Sequence, residues 1–175
     1  MTGAASASVH ASAVRVGNHA VLIRGPSGTG KSRLAFDLIL AGRSGQIPPA
    51  VLIGDDRVHL DARQGEVVVR QVPTLAGLIE IRGLGIRRCD FAAEAKLGLV
   101  VDLCAADAER LPPPESLQAC VYGIKIPRIP VAIGYAAFPL VVAALTMSAS
   151  SPCSHPSADC SKGIGNHITP SIANE

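Results

Sequence analysis

The sequence has few aromatic residues and few charges. Its 175 residues include no Trp, three Phe and two Tyr, and only 17% of them are charged. Proteins that bind single-stranded nucleic acid usually stack bases on aromatic side chains, so this chain has little surface for that purpose. The formal net charge of +2 is also too small for long-range attraction to DNA or to an anionic membrane. We therefore expect neither nucleic acid nor a membrane as a partner.

The five cysteines form no recognisable disulfide or metal pattern. Their number is odd, and no C-x-x-C pair occurs. Residues 1–9 contain neither the basic nor the apolar segment of a secretory signal, so we expect a cytoplasmic protein with reduced thiols. Near the C-terminus, Cys153, His155, Cys160 and His167 could be drawn as a zinc site, but their spacing matches none of the usual templates, which disfavours this interpretation.

One long segment contains no charged residue. Residues 129–147 approach the length of a helix that spans a membrane. However, Pro130, Gly134 and Pro139 interrupt the segment, and no basic cluster follows it. We predict a buried strand or loop followed by a short core helix, in preference to a membrane span.

Small and branched apolar residues dominate the sequence, and hydrophobic residues make up 48% of it. This composition suits strands that are buried on both faces, and the length suffices for one self-contained core. We predict an α/β domain over residues 1–147 and a disordered tail over 148–175, because the tail is rich in Ser and lacks apolar periodicity. Apolar runs predict strands at 14–16, 20–23, 51–53, 58–60, 66–70, 78–81, 97–103, 117–121 and 126–131.

The strongest motif is a glycine-rich loop that matches G-x-x-x-x-G-K-S/T. It follows a predicted strand and precedes apolar residues at helical spacing, with Gly42 as the predicted end of the helix. Glycines allow positive φ, so that successive N–H groups can turn towards phosphate oxygens. In such loops the Lys contacts phosphates and the final hydroxyl binds Mg²⁺. The loop consists of Gly25, Pro26, Ser27, Gly28, Thr29, Gly30, Lys31 and Ser32.

Two adjacent acids follow the predicted strand 51–53. Ligands of open α/β sheets collect at the carboxyl ends of strands, so Asp55 and Asp56 are well placed to act on a bound nucleotide. Mutual repulsion raises one pKa of such a pair and suits that residue to act as a base. The alternative is that Asp55 and Asp56 only form the turn of a hairpin.

Three further polar residues are candidates with open interpretations. Glu80 and Arg82 interrupt an apolar strand, where they could pair with each other or where Glu80 could contact metal and phosphate. The two glycines that follow allow another backbone to approach closely. Asp102 could be a ligand or a helix N-cap. His10, ahead of the first predicted strand, is by itself more often structural than functional.

Taken in order, these features resemble the catalytic domain of the HPr kinase/phosphorylase family. The resemblance rests on His10, the loop at 25–32, the pair Asp55-Asp56, and the segment 78–86 with the sequence Leu-Ile-Glu-Ile-Arg-Gly-Leu-Gly-Ile. The last segment closely resembles the family signature and is more specific than the loop.

The resemblance implies a fold similar to that of phosphoenolpyruvate carboxykinases, with a β-rich α/β core that contains a P-loop. It also implies a bacterial kinase that uses ATP and Mg²⁺ to phosphorylate a serine of the phosphocarrier protein HPr. Full-length members are hexamers, so the resemblance implies a homo-oligomer. The chain resembles a short form that consists of the catalytic domain.

The resemblance also assigns roles to individual residues. Asp55 would take the serine proton, with Asp56 beside it in the catalytic pair, and His10 would lie near Asp55. Lys31 would hold the phosphates, while Ser32 and Glu80 would bind the metal. Retention of Asp55 and Glu80 argues against a module that only senses ATP, and the segment 78–86 argues against a small-molecule P-loop kinase.

One segment departs from the family pattern. Members have an Arg in a Pro-Val-Arg-Pro-Gly-Arg-like segment that assists dephosphorylation. In this chain the corresponding residues 127–134 have no Arg after Val131. We therefore expect kinase activity without efficient phosphorylase activity.

Overall fold

The polypeptide forms two α-helices, one short 3-10 helix (Pro73–Leu75) and eleven strands in a computed structural model, which describes residues 8–148. The disordered tail predicted for 148–175 and the four residues of the zinc alternative therefore lie, apart from Ser148, outside the described residues. In chain order the elements are β1 (Ser8–His10), β2 (Ser12–Val16), β3 (His19–Arg24), α1 (Lys31–Arg43), β4 (Ala50–Gly54), β5 (Arg57–Arg63), β6 (Glu66–Gln71), β7 (Leu78–Ile81), β8 (Gly85–Arg88), β9 (Glu94–Leu103), β10 (Gln118–Val121), β11 (Ile124–Val131) and α2 (Ala137–Thr146).

The sheet is organised around the long strand β9. Strand β3 runs parallel to it along one edge. Along the other edge, β6 pairs antiparallel with the first residues of β9, and β11 pairs parallel with the last ones. The carboxyl ends of β3, β9 and β11 consequently lie at the same end of the sheet, and the glycine-rich loop begins at this end. The main strand order is β1-β5-β6-β9-β3-β2-β4, and β7 and β8 form a separate pair.

Tight turns connect several neighbouring strands. Gln64 and Gly65 join β5 to β6 with φ angles of 51° and 80°, and Tyr122 and Gly123 join β10 to β11 with φ angles of 50° and 77°. Two consecutive residues with positive φ are typical of the hairpin turns that match strand twist. Because such a turn needs only two residues, β5 continues to Arg63, three residues further than the sequence pattern predicted, whereas β6 begins at the predicted residue, Glu66.

Apolar side chains fill both faces of the sheet, as the composition predicts. On β3, Val21 and Ile23 pack in one core cluster together with Leu38 of α1, whereas Ala20 and Leu22 belong to a second cluster on the opposite face. Successive side chains of a strand point to opposite faces, so a continuous apolar run is what a strand covered on both sides requires. This arrangement confirms a sheet-dominated α/β fold.

Gly42 does not end the helix, contrary to the prediction. Helix α1 continues to Arg43, and Ser44 follows as its C-cap. A Cβ atom on Gly42 would lie only 2.5 Å from the backbone nitrogen of Ala50 on β4. The glycine therefore permits close packing of α1 against the sheet. The position of Gly42 in the sequence does not reveal this role.

The uncharged segment forms the end of β11 and the short helix α2. Within residues 8–148 no helix is long and apolar enough to cross a membrane. Pro139 is the third residue of α2, where the missing N–H has no partner within the helix in any case. The prediction of a core helix is correct only in part, because Val141 is the one residue of α2 that is fully buried, while Leu140 is 42% exposed.

Replacement of Gly42 by Ala tests the close packing of α1. In a helix interior this change usually stabilises, by up to about 1 kcal/mol. Here we expect the free energy of unfolding to fall by about 1–3 kcal/mol, because the added methyl group overlaps β4. Chemical denaturation measures the difference, and Arg43→Ala on the exposed side of the same turn serves as the control. A more stable Gly42→Ala variant would contradict the close approach.

Candidate nucleotide and metal site

The glycine-rich loop connects β3 to α1, as the motif requires. Gly25, Gly28 and Gly30 all have positive φ, at 148°, 80° and 97°. A Cβ atom on Gly25 would lie 3.0 Å from the side chain and the carbonyl oxygen of Leu103, at the end of β9. The first glycine is thus needed where the loop passes the neighbouring strand, and the other two turn the backbone in open space.

The loop presents unoccupied donors at the start of α1. Among residues 8–148, the N–H groups of Lys31, Ser32 and Arg33 have no hydrogen-bond acceptor, and no side chain caps the helix. The Lys31 ammonium donates to the carbonyl oxygens of Gly25 and Pro26, each at 3.0 Å, and the residue is only 6% exposed. Free N–H groups, a helix dipole and a held ammonium together make a site for a phosphate-bearing anion.

Asp55 lies at the centre of the site. It directly follows β4 and is only 5% exposed. Its Oδ1 atom accepts hydrogen bonds from the hydroxyls of Ser12, at 2.5 Å, and Ser32, at 2.9 Å. Its Oδ2 atom accepts a hydrogen bond from the backbone N–H of Glu80 at 3.1 Å. One carboxylate therefore connects β2, the first turn of α1 and strand β7.

Asp56 lies in a different environment from Asp55. Its φ of 66° is left-handed, and its side chain is 70% exposed. The Nε2 atom of His10, at the end of β1, lies 3.5 Å from Oδ1 of Asp56. The resemblance placed His10 near Asp55, but the structure brings it to the neighbouring acid.

Glu80 and Arg82 do not form the ion pair that was one interpretation of the sequence. Both side chains are exposed, and within the described chain no ion pair involves either. The backbone N–H of Glu80 donates to Asp55, and its exposed carboxylate forms no ion pair within the described residues. Gly83 and Gly85 do not serve close backbone approach either, because a Cβ atom on each would have nothing within 4 Å. Their φ angles of 84° and 80° instead form the turn between β7 and β8.

Asp102 is neither a helix cap nor free to be a ligand. It lies inside β9, and no helix begins after it. Its carboxylate accepts two hydrogen bonds from Arg24, at 2.6 and 2.7 Å, and one from Arg128 at 2.5 Å. Burial alone would raise the pKa of Asp102, but the bonds and charges of the two arginines outweigh it and lower the pKa below its usual value.

Sequence reasoning missed the partners of these acids. Arg128 on β11 also donates to Asp107 and to the carbonyl oxygen of Ser116, and its side chain is only 13% exposed. The bond to Asp107 is the largest cause of its raised pKa. The only sign of this network in the sequence was a single Arg within the apolar segment 126–131. Ser12, which is fully buried, gave no signal beyond being a polar residue in a strand.

No preformed cluster of strong metal ligands is present in the part of the chain that the structure describes. Within residues 8–148, no group of three or more His, Cys, Asp or Glu side chains is arranged to hold a metal. The side-chain oxygen atoms that the structure brings together at the start of α1 are those of the Ser32 hydroxyl and the Asp55 carboxylate, and the backbone of Glu80 contacts the same carboxylate. Such a set needs further oxygens, such as those of phosphates or water, to complete a coordination shell.

The fold and the site define a protein with a β-rich α/β core, in which a glycine-rich loop joins a strand to a helix and two adjacent acids follow a neighbouring strand. Residues 2–155 match the family model described as "HPr Serine kinase C-terminal domain", and the chain belongs to this family.

Individual relatives agree with this assignment. HPr kinase/phosphorylase from Mycoplasma mycoides subsp. mycoides SC is 41% identical over 81 residues, which are 46% of this chain and 24% of the relative. The enzyme of the same name from Enterococcus faecalis is 45% identical over 80 residues, which are 45% of this chain and 24% of that protein. The matched part of the chain thus spans about a quarter of the length of these curated relatives.

A solved structure shares the fold. The Hpr(Ser) kinase/phosphatase from Coxiella burnetii superposes with a TM-score of 0.63 at 24% identity, and the match covers 79% of this chain and 93% of that one. This similarity supports the fold described above, in which the sheet is organised around β9.

Replacement of Asp102 by Asn tests the ionic network. We expect the variant to lose about 2–4 kcal/mol of unfolding free energy at pH 7, because Arg128 stays largely buried with less compensating charge. A lowered pKa stabilises the fold above the unfolded value of about 4, and this contribution is lost as the pH falls below it. The gap between wild type and variant in urea denaturation should therefore close in acid. Asp37→Asn, in the exposed pair with Arg33, is the control and should cost less than about 0.5 kcal/mol. A gap that persists unchanged below pH 3 would contradict the assignment.

Proposed function

We propose that this chain is the catalytic domain of a kinase that transfers a phosphoryl group from ATP to a serine of HPr. The observation that carries the proposal is the position of Asp55, which links Ser32 of the phosphate loop to the strand that bears Glu80. Membership of the family and the names of the curated relatives support HPr as the acceptor. A module that only senses ATP would have no need of acids arranged beside the loop.

The loop fits the phosphates of a nucleotide. The free N–H groups at the start of α1 and the ammonium of Lys31 converge on one place, and both favour negative charge. Lys31 reaches only carbonyl oxygens of its own loop among the described residues, so one of its three donors remains for a phosphate oxygen. Ser27 and Thr29 add hydroxyls to the loop, although Thr29 donates to Pro26.

The oxygen atoms beside the loop fit Mg²⁺. Ser32, Asp55 and Glu80 supply a hydroxyl and two carboxylates, which are the hard ligands that this ion prefers together with phosphates. When bound, Mg²⁺ would neutralise the charge of the phosphates. Ser32 and Glu80 would hold it, and Asp55 would fix the orientation of the Ser32 hydroxyl through their 2.9 Å hydrogen bond.

The two adjacent acids have different roles in this proposal. Asp55 is buried and already accepts three hydrogen bonds, which occupy three of the about four acceptor positions of its carboxylate. Asp56 is exposed, and His10 lies within 3.5 Å of it. We therefore assign to Asp56 the removal of the proton from the acceptor serine, and to His10 the orientation of Asp56. The resemblance had given the proton transfer to Asp55.

Two further features of the proposal concern the setting of the enzyme. We propose that it acts in the cytoplasm, where ATP is available, and that it functions as a homo-oligomer. The support for association is the apolar surface near α2, where Leu140 and Met147 are 42% and 71% exposed. Burial of such side chains against another subunit would remove apolar area from water.

The segment that follows β11 offers no basic side chain to assist the reverse reaction. Residues 132–134 lie at the edge of the sheet where the loop begins, and none of them is basic. Arg128, the nearest arginine in the sequence, is held by Asp102 and Asp107. We propose that this arrangement supports the kinase reaction and not an efficient phosphorylase reaction.

The kinase assignment predicts one phosphate on HPr when the purified chain is incubated with ATP and Mg²⁺. Intact mass spectrometry of HPr measures the transfer. We expect Asp56→Asn to lower the rate at least about 10²-fold with little change in ATP affinity, because a general base contributes about 10²–10⁴. Asp55→Asn should weaken binding of Mg²⁺-ATP as well, since it disturbs Ser32.

The same pair of variants separates the alternatives. Both replacements keep the size of the side chain, so each serves as the matched control for the other. Normal phosphate transfer by Asp56→Asn, combined with no transfer by Asp55→Asn, would show that Asp55 and not Asp56 removes the serine proton. Binding of ATP by the wild type without any phosphorylation of HPr would favour the sensing module.

The reverse reaction is tested by addition of inorganic phosphate to phosphorylated HPr. We expect little release of pyrophosphate, because no free arginine stands in residues 132–134. Phosphate transfer to HPr by the same preparation is the control for active protein. A rate of pyrophosphate release comparable to the forward rate would show that the missing arginine is dispensable.

A further inference from the structure

The hairpin of β7 and β8 projects from the body of the protein beside the site. It forms its own two-stranded sheet, and all four residues of β8 are exposed. Ile79, which is 3% exposed, anchors the inner strand in the core, whereas open space surrounds the turn at Gly83 and Gly85. An isolated two-stranded hairpin is marginally stable in water, so the core contact of β7 holds this one in place.

The outer part of the hairpin exposes large apolar side chains. Leu84 at the turn is 57% exposed and Ile86 on β8 is 66% exposed. Ile86 lies directly opposite Glu80, and Arg88 lies opposite Leu78 two positions further along the same face. Side chains of directly opposed residues are about 5 Å apart. An exposed apolar surface therefore lies next to the carboxylate that we place at the metal.

The hairpin also carries three exposed arginines. Arg82, Arg87 and Arg88 form no ion pair with any acid within residues 8–148. Together with Glu80, these arginines give the hairpin a formal charge of +2. The net charge of the whole chain is also +2, so the positive and negative charges of the remaining residues cancel. Arginines elsewhere in the described part are ion-paired in five cases, namely Arg24, Arg33, Arg63, Arg70 and Arg128.

We infer that this hairpin is the docking surface for the acceptor protein, an inference that rests on the proposed function. The surface formed by Leu84, Ile86 and Arg88 would hold a partner that presents its serine on an apolar patch bordered by carboxylates. Apolar contact supplies affinity, and the unpaired arginines supply charge complementarity and orientation. The hairpin then carries Glu80 on its inner strand and the protein substrate on its outer strand.

The exposure of the hairpin favours a protein over a small molecule as the occupant. Small substrates are usually enclosed by concave pockets. Two surface depressions of the described chain lie away from the hairpin, one between α1 and Phe138 and the other near the beginning of β9. On the hairpin itself, Leu84 and Ile86 are more than half exposed, and the turn at Gly83 and Gly85 lies in open space.

The test is a kinetic comparison of variants that leave the catalytic groups intact. Ile86→Ser and Arg88→Glu should each raise the KM for HPr about tenfold or more, with kcat and the KM for ATP unchanged within about twofold. The effect of Arg88→Glu should shrink as salt is raised, because a screened charge contributes less. Lys125→Glu, an exposed charge reversal at the opposite end of β11, is the matched control and should leave the KM for HPr unchanged.

The outcomes separate the two proposals. Phosphorylation of HPr by the wild type, together with unaltered KM values for HPr in both hairpin variants, would overturn the docking surface alone. Failure of the wild type both to phosphorylate and to bind HPr in calorimetric titration would overturn the proposed function and with it this docking partner. Thermal unfolding of each variant confirms that the fold is intact, and a raised KM with an unaltered melting temperature supports the inference.

Discussion

The carboxylate of Asp55 holds together three elements that meet beside the glycine-rich loop. It accepts hydrogen bonds from the side chains of Ser12 and Ser32 and from the backbone of Glu80. These three groups belong to a strand of the main sheet, to the first turn of α1 and to the separate hairpin. A buried carboxylate is costly unless its acceptors are used, and this one meets that cost by fixing three elements relative to each other.

A second ionic centre stabilises the edge of the sheet from which the loop departs. Asp102 on β9 lies between Arg24 on β3 and Arg128 on β11, so that the three parallel strands are tied at their carboxyl ends. The acids and bases of this network compensate one another. Outside this network, the three arginines of the β7–β8 hairpin, Arg82, Arg87 and Arg88, form no ion pair within residues 8–148.

Some parts of the site followed from the sequence, and others did not. The loop at 25–32 is specified by local chemistry, because positive φ, a following helix and a Lys at fixed spacing are all properties of neighbouring residues. The difference in environment between Asp55 and Asp56 is not local. It depends on a left-handed φ at Asp56 and on His10, Ser12 and Glu80, which come from distant parts of the chain.

The sequence by itself determined the sheet-dominated α/β class, the glycine-rich loop between a strand and a helix, and most strands, since apolar patterns and glycine-rich turns act over a few residues. Only the tertiary structure decided that Gly42 serves helix packing and that Asp102 and Arg128 join in one network. It also decided that the outer strand of the β7–β8 hairpin exposes apolar and basic side chains to solvent. Each of these depends on which distant segment lies alongside, and pairing of strands from remote parts of the chain sets that arrangement.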